Sequence, residues 1–250
     1  QNARHSLAEY LGTKADNVVF TTNVTEALNI VVHSLNLGPE DEVLSTNHEY
    51  GAIDRTWKFY AQEHGFAYII QPIPVPVTTT QEFIDELWKG VTPQTCVIFL
   101  SHITSPTALV FPVEQVVWRA HQSGILVVID GAHAPGQIPL RLDELGADFY
   151  AGNLHKWLCA PKGAGFLYAK PNVQHMLKPL VVSWGYEAEI PGPSKFIDHH
   201  EWTGTRDIAA FLSVSSAIEF QNVNDWENVR SRCHTLVQET LAQICALSGF

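Results

Sequence analysis

The sequence predicts an α/β fold built on a mainly parallel sheet covered by helices on both faces. Two observations carry this reading. Short apolar runs alternate with helical segments along most of the 250 residues. Those runs are continuous rather than alternating, as in strands buried on both faces. With 46% hydrophobic and 16% charged residues, the chain can bury a sizeable core, as one large domain or one domain plus part of another.

The elements follow in order. Residues 1–8 read as the interior of a helix, and 18–21 as a short β-rich run. Residues 25–37 show helical spacing of Ala27, Leu28, Val31, Val32 and Leu35, stopped by Gly38-Pro39. A strand over 42–46 precedes a helix over 52–64 that Gly65 closes. A strand over 67–73 leads into a connector with Pro72, Pro74 and Pro76. Residues 80–90 predict a helix, 95–100 a buried strand, 113–123 a helix and 125–129 the most hydrophobic strand. A short run over 148–152 and a turn and strand over 163–168 follow. Residues 173–201, rich in Pro and Gly, read as a long loop region. Two long helices are expected over 206–220 and 225–247. No repeat or low-complexity tract is present.

The ends read as those of a segment open on both sides. The only methionine is Met176, and the chain stops at Leu247-Ser248-Gly249-Phe250. A net charge of −11 argues against nucleic acid as the main partner. Cys96, Cys159, Cys233 and Cys245 form no CxxC pair, which speaks against a zinc ribbon or thioredoxin motif. So few cysteines fit a reducing cytosol. No apolar stretch reaches membrane-spanning length and no signal-peptide pattern opens the chain.

The chemistry gathers at strand ends, where ligands of open α/β sheets bind. Asp130 closes the run Ile125-Leu126-Val127-Val128-Ile129, and Lys156 follows the run over 148–152, flanked by Leu154 and Trp157-Leu158. A solvated lysine is the ordinary expectation, but this apolar company lowers an amine's pKa and improves it as a nucleophile. An acid and an amine so placed are the pair a pyridoxal phosphate enzyme needs, the amine for a Schiff base and the acid to keep the pyridine nitrogen protonated. Thr22-Asn23-Val24-Thr25 opens a helix. It reads either as plain capping by Asn23 or Thr22 with Glu26 behind, or as an anion site. Tyr50, after the 42–46 strand, could stack on a flat ring. Thr203-Gly204-Thr205-Arg206-Asp207 is a second hydroxyl-rich helix start, with an Arg suited to an anion. Cys159, between Leu158 and Ala160-Pro161, reads as a small buried hydrophobe. Asp198, His199 and His200 could suggest a metal-dependent hydrolase, but their spacing matches no metal motif. The glycines at 163 and 165 form no dinucleotide fingerprint.

Taken together, Thr22-Asn23-Val24-Thr25, His48-Glu49-Tyr50-Gly51-Ala52, Ser101-His102-Ile103-Thr104-Ser105-Pro106-Thr107, Asp130-Gly131-Ala132-His133, Gly152-Asn153-Leu154-His155-Lys156-Trp157 and Thr203-Gly204-Thr205-Arg206-Asp207 resemble the class V aminotransferase family. These are fold-type I pyridoxal phosphate enzymes, and the isopenicillin N epimerase-like branch is the most similar. The resemblance runs through nearly the whole chain. It implies a seven-stranded, mainly parallel sheet in three α/β/α layers. Residues 1–220 would be the cofactor-binding large domain, lacking its N-terminal part, and 221–250 a helix leading into a C-terminal small domain outside this chain.

The resemblance also implies roles. Lys156 would carry pyridoxal 5′-phosphate covalently and Asp130 would pair with its pyridine nitrogen. Tyr50 would stack on the ring, and His133 would sit near the phenolic oxygen or the ring face. Asn23, Val24, Thr25 and His155 would hold the phosphate. Thr205 would reach the phosphate of a neighbouring subunit in a homodimer with shared sites. Ser105 stands where desulfurase relatives have Asn. The implied activity is at the α-carbon of a small amino-acid substrate, in the cytoplasm. Freed Lys156 would be the base, and Tyr50 or His48 the candidate donor on the opposite face. A cysteine or cystine lyase or desulfurase is the alternative within the family, and a non-catalytic binding module or a metal-dependent hydrolase the alternatives outside it.

Overall fold

Seven strands form one sheet: β1 (Val18–Thr21), β2 (Glu42–Thr46), β3 (Ala67–Gln71), β4 (Thr95–Ser101), β5 (Leu126–Asp130), β6 (Phe149–Asn153) and β7 (Gly165–Ala169). They are seen in a computed structural model that describes residues 1–248, so the last two residues of the 221–250 segment lie outside it. The strand order is β1-β7-β6-β5-β4-β2-β3. Pairing is parallel from β3 through β2, β4 and β5 to β6. Only β7 runs antiparallel, to β6 on one side and β1 on the other. The mainly parallel, seven-stranded sheet is therefore as the sequence predicts.

Helices α1 (Asn2–Leu11), α2 (Val24–Ser34), α3 (Gly51–His64), α4 (Thr80–Trp88), α5 (Val113–Gln122) and α6 (Leu142–Leu145) accompany the strands. Two apolar clusters make the three layers. One joins Leu7 and Leu11 of α1, Phe83 and Leu87 of α4 and Val113 and Val116 of α5 to Ile98, Val127, Ile129 and Tyr150. The other joins Leu28 and Val31 of α2 and Ile53 and Trp57 of α3 to Val43, Phe99, Val128 and Phe149. Fully burying such a side chain contributes about 1.5–3 kcal/mol. Successive residues of a strand face opposite clusters, as the pleat requires.

That alternation decides where the polar residues at the strand ends face. Val127 and Ile129 belong to the first cluster and Val128 to the second, so Asp130 shares a face with α2. By the same count Ser101 follows Val97 and Phe99, and Asn153 follows Phe149 and Ala151. All three polar residues therefore end their strands on the α2 face.

The C-terminal part departs from expectation. The 173–201 region is not all loop: it holds a 3-10 turn over Gln174–Met176 and helix α7 (Lys195–Glu201). Ser194 caps α7 by accepting from Ile197 N, a short signal lost among the surrounding prolines and glycines. The single helix expected over 206–220 is instead α8 (Ala209–Leu212) and α9 (Val214–Val223). The Arg206 guanidinium donates to Thr203 Oγ1 and the Glu201 carbonyl, and Asp207 Oδ1 accepts from Ala209 N, which holds 206–208 as a turn. Helix α10 (Trp226–Ser248) is long, as expected. Its Leu236, Val237 and Leu241 are exposed. No described helix is long and apolar enough to cross a membrane.

Candidate active site

The carboxyl ends of β4, β5 and β6 and the start of α2 meet on one face of the sheet. Asn23 is the N-cap of α2, its side chain accepting from Glu26 N at 2.9 Å. Glu26 in turn accepts from Thr22 N and Thr22 Oγ1 at 2.7 and 2.5 Å. Val24 N donates to Asn153 Oδ1 at 3.0 Å, tying the helix start to the end of β6. The Thr25 N–H and hydroxyl take no partner among the described residues, so a helix amide stays open where the helix dipole favours an anion. Gly165 lies under this start. A Cβ there would come within 2.8 Å of Asn23 Cα, so no other residue lets β7 and the helix start approach this closely.

Asp130 is 2% exposed. Its Oδ1 accepts from Ala132 N at 2.9 Å, and its Oδ2 takes no partner among the described residues. Burial pushes its carboxyl up to about 6, against smaller opposing effects from the Ala132 bond and from Lys156. Lys156 Nζ, half-buried, lies 2.9 Å from His133 Nε2. Burial lowers its pKa while Asp130 pulls it back up. His133 is lowered too, by burial first and by Lys156 second. His155 Nδ1 donates to the Ala164 carbonyl at 3.0 Å.

Tyr50 is the N-cap of α3 and is 49% exposed, its ring without a described contact to Lys156 or Asp130. Ser105 lines a cavity of about 480 Å³ together with His133 and Trp157. Thr205 is exposed on the turn between α7 and α8, with no described contact to the other candidates. The structure thus brings Asp130, His133 and Lys156 into one cluster and joins it, through β6, to Asn23 and Val24.

Several positions differ from their sequence-based reading. His48 is buried with both ring nitrogens engaged, donating to the Ile73 carbonyl from Nε2 at 2.9 Å and facing Thr107 Oγ1 from Nδ1 at 3.2 Å. It therefore supports the loop and is not open to solvent or ligand. Cys159 is exposed, not buried: it sits at φ 67 in the turn after Lys156, its thiol donating to the Trp157 carbonyl at 3.6 Å. On α7, Asp198 accepts from Gly192 N and His200 bonds the Phe196 carbonyl. Among the described residues no three His, Cys, Asp or Glu gather as a metal cluster.

Glu49 was not singled out by the sequence reading. Its Oε2 accepts from Ser101 N and Oγ at 2.7 and 2.6 Å, and its Oε1 from Thr46 Oγ1 at 2.7 Å. Burial raises its carboxyl to about 7, with nearby Asp130 adding to the rise and the three hydrogen bonds opposing it. The only prior signal was its place between His48 and Tyr50.

An open helix amide, a buried acid with one free oxygen and an amine of lowered pKa fit a group with a phosphate at one end, a protonated ring nitrogen at the other and a carbonyl between. The family model of class-V aminotransferases matches residues 1–250. The isopenicillin N epimerase of Amycolatopsis lactamdurans is 36% identical over 99% of this chain and 65% of its own length. That of Streptomyces clavuligerus is 37% identical over 88% of this chain and 58% of its own. The chain thus spans about three-fifths of the length of these relatives. Among solved structures, a cysteine desulfurase of Escherichia coli superposes with a TM-score of 0.81 at 25% identity, over 96% of this chain and 62% of that one.

Proposed function

The chain belongs to the class V aminotransferase family, and from that premise we propose that it forms the cofactor-binding part of a pyridoxal 5′-phosphate enzyme acting at the α-carbon of an amino acid, with an isopenicillin N type of epimerisation as the leading activity. The observation that carries the reading is the cluster of Asp130 and Lys156 beside a helix start with an open amide. The identity to the two epimerases supports the choice of reaction. Held there, the cofactor would supply an electron sink conjugated to the α-carbon.

The chain's own residues then have distinct tasks. Asn23, Thr25 and His155 would hold the phosphate; the Val24 N–H, expected to join them, is given to Asn153 Oδ1 and ties the helix start to β6 instead. Thr205 would serve the neighbouring subunit of a homodimer. Asp130 would accept the ring N–H at its unpartnered Oδ2. Tyr50 would cover one ring face, and His133 and Ser105 would line the side toward the cavity. Lys156 would hold the cofactor covalently, and its amine, whose pKa burial lowers while Asp130 opposes the shift, is the group placed to take the α-proton at Nζ. On this reading residues 1–220 form the large domain and 221–250 a helix toward a small domain. A cytoplasmic location is supported by the free thiols of Cys96, Cys159 and Cys233.

A second reading, a cysteine desulfurase or C–S lyase, is favoured by the likeness to the Escherichia coli desulfurase. It needs no donor on the second face, whereas epimerisation does. The test is to incubate full-length protein with pyridoxal phosphate and follow a visible absorbance that borohydride abolishes, with the reduced cofactor retained on Lys156. Lys156→Ala should lose that absorbance; its persistence overturns the assignment. Chiral analysis of amino-acid products against sulfide release then separates the two activities.

A further inference from the structure

One side chain beside Lys156 has no role in the reading above. The indole Nε1–H of Trp157 donates to His133 Nδ1 at 3.2 Å, while His133 Nε2 lies 2.9 Å from Lys156 Nζ. An indole N–H can only donate, so Nδ1 must present a lone pair. In a neutral imidazole the proton then sits on Nε2, pointing at Lys156. An ammonium has no lone pair to receive it, but a free amine has. The alternative, an imidazolium, would set an N–H at Nδ1 against the indole N–H. The three groups are compatible only when both His133 and Lys156 are uncharged.

We propose that Trp157 is a positioning residue that fixes the Nε2–H tautomer of His133 and so holds the Lys156 amine in its uncharged form, ready as a nucleophile once that hydrogen bond is released. The inference rests on the reading of Lys156 as the cofactor's anchor and adds the residue that prepares it. Trp157 is itself held in place. Its carbonyl accepts from Gln221 Nε2 at 2.8 Å, and Gly136 packs so tightly that a Cβ would lie 2.2 Å from that carbonyl oxygen. Gly136 is fixed in turn, its N–H donating to Tyr10 OH and its carbonyl accepting from Trp226 Nε1, both at 2.9 Å. Burial moves the pKa values of His133 and Lys156 downward, in the direction the hydrogen bonds require. When Lys156 is engaged elsewhere, the same tautomer leaves His133 Nε2–H free to donate to an oxygen in the site.

The test uses full-length protein prepared without cofactor and labelled with 15N-histidine. Two-bond 1H–15N correlations report which ring nitrogen carries the proton, and His133→Gln assigns the signals. Wild type should show His133 protonated on Nε2. Trp157→Phe and Trp157→Leu should both give a mixture of tautomers, while His121, whose Nε2 lies 2.9 Å from Asp148, stays unchanged as a control for folding. In parallel, acetylation of Lys156 by limiting anhydride at neutral pH, read by mass spectrometry, should slow about threefold to tenfold in both variants, the weight of one hydrogen bond. A wild-type His133 protonated on Nδ1, or a tautomer and labelling rate unchanged in either variant, overturns the proposal. Because no cofactor is present, that failure leaves the borohydride test untouched. A missing absorbance would sink the cofactor reading whatever the tautomer.

Discussion

Replacing Asp130 by Asn should make the cofactor-free protein more stable at neutral pH. The carboxyl is almost fully buried, with one hydrogen bond to Ala132 N and a free second oxygen. Its pKa is raised from 3.8 to about 6, chiefly by burial. The folded state therefore binds this proton more tightly than the unfolded chain. The stability it contributes is complete below the unfolded value and is lost as pH rises through the folded one. A rise of about two units corresponds to roughly 3 kcal/mol. Asn keeps the acceptor for Ala132 and does not titrate, so the difference between wild type and Asp130→Asn should shift by roughly 2.5 kcal/mol between pH 4 and 7, in favour of the variant. Urea unfolding at one-unit steps of pH measures it. Parallel curves for the two proteins would refute the reasoning. With pyridoxal phosphate present the order should reverse, because only the carboxylate can pair with a protonated ring nitrogen.

Two further substitutions probe the frame around this acid. Gly165→Ala drives a methyl against Asn23, and should destabilise the fold by about 1–3 kcal/mol and weaken phosphate-dependent cofactor retention, read by dialysis; an unchanged Tm and retention would contradict the packing. Glu49→Ala leaves Ser101 N, Ser101 Oγ and Thr46 Oγ1 without their acceptor and should cost about 2–4 kcal/mol, seen by denaturant titration, whereas Glu49→Gln should recover most of it.

The sheet was legible because most of its strands are short apolar runs, richest in Val, Ile, Leu and Phe at β4 and β5, and turn glycines and prolines bound them. Asp130 and Lys156 were legible because each follows such a run. What could not be read was pairing between distant segments. The contact of Asn153 with Val24 spans 129 residues, and nothing local marks it. Glu49 looked like any loop acid until Ser101 and Thr46 were seen to converge on it. The helix expected over 206–220 starts late for a different, local reason: Arg206 bonds backward to Thr203 and Glu201 and Asp207 caps Ala209 N, which competes with helix over 206–208. Cys159 was misjudged because neighbouring residues say nothing about a left-handed φ.

The end of β6 has a mechanical consequence. Asn153 grips the start of α2, and His155 and Lys156 follow within three residues on the same short length of chain. Whatever displaces one anchor displaces the other by a similar amount and in the same direction. A small molecule bridging them would see its two attachment points drift together rather than apart. Thermal wandering of the β6 end would then translate the bound group as a whole while leaving the angle at its reacting carbon nearly constant. Precision at that carbon would thus draw on the local tie of Asn153 to Val24 and the close packing of Gly165 on Asn23.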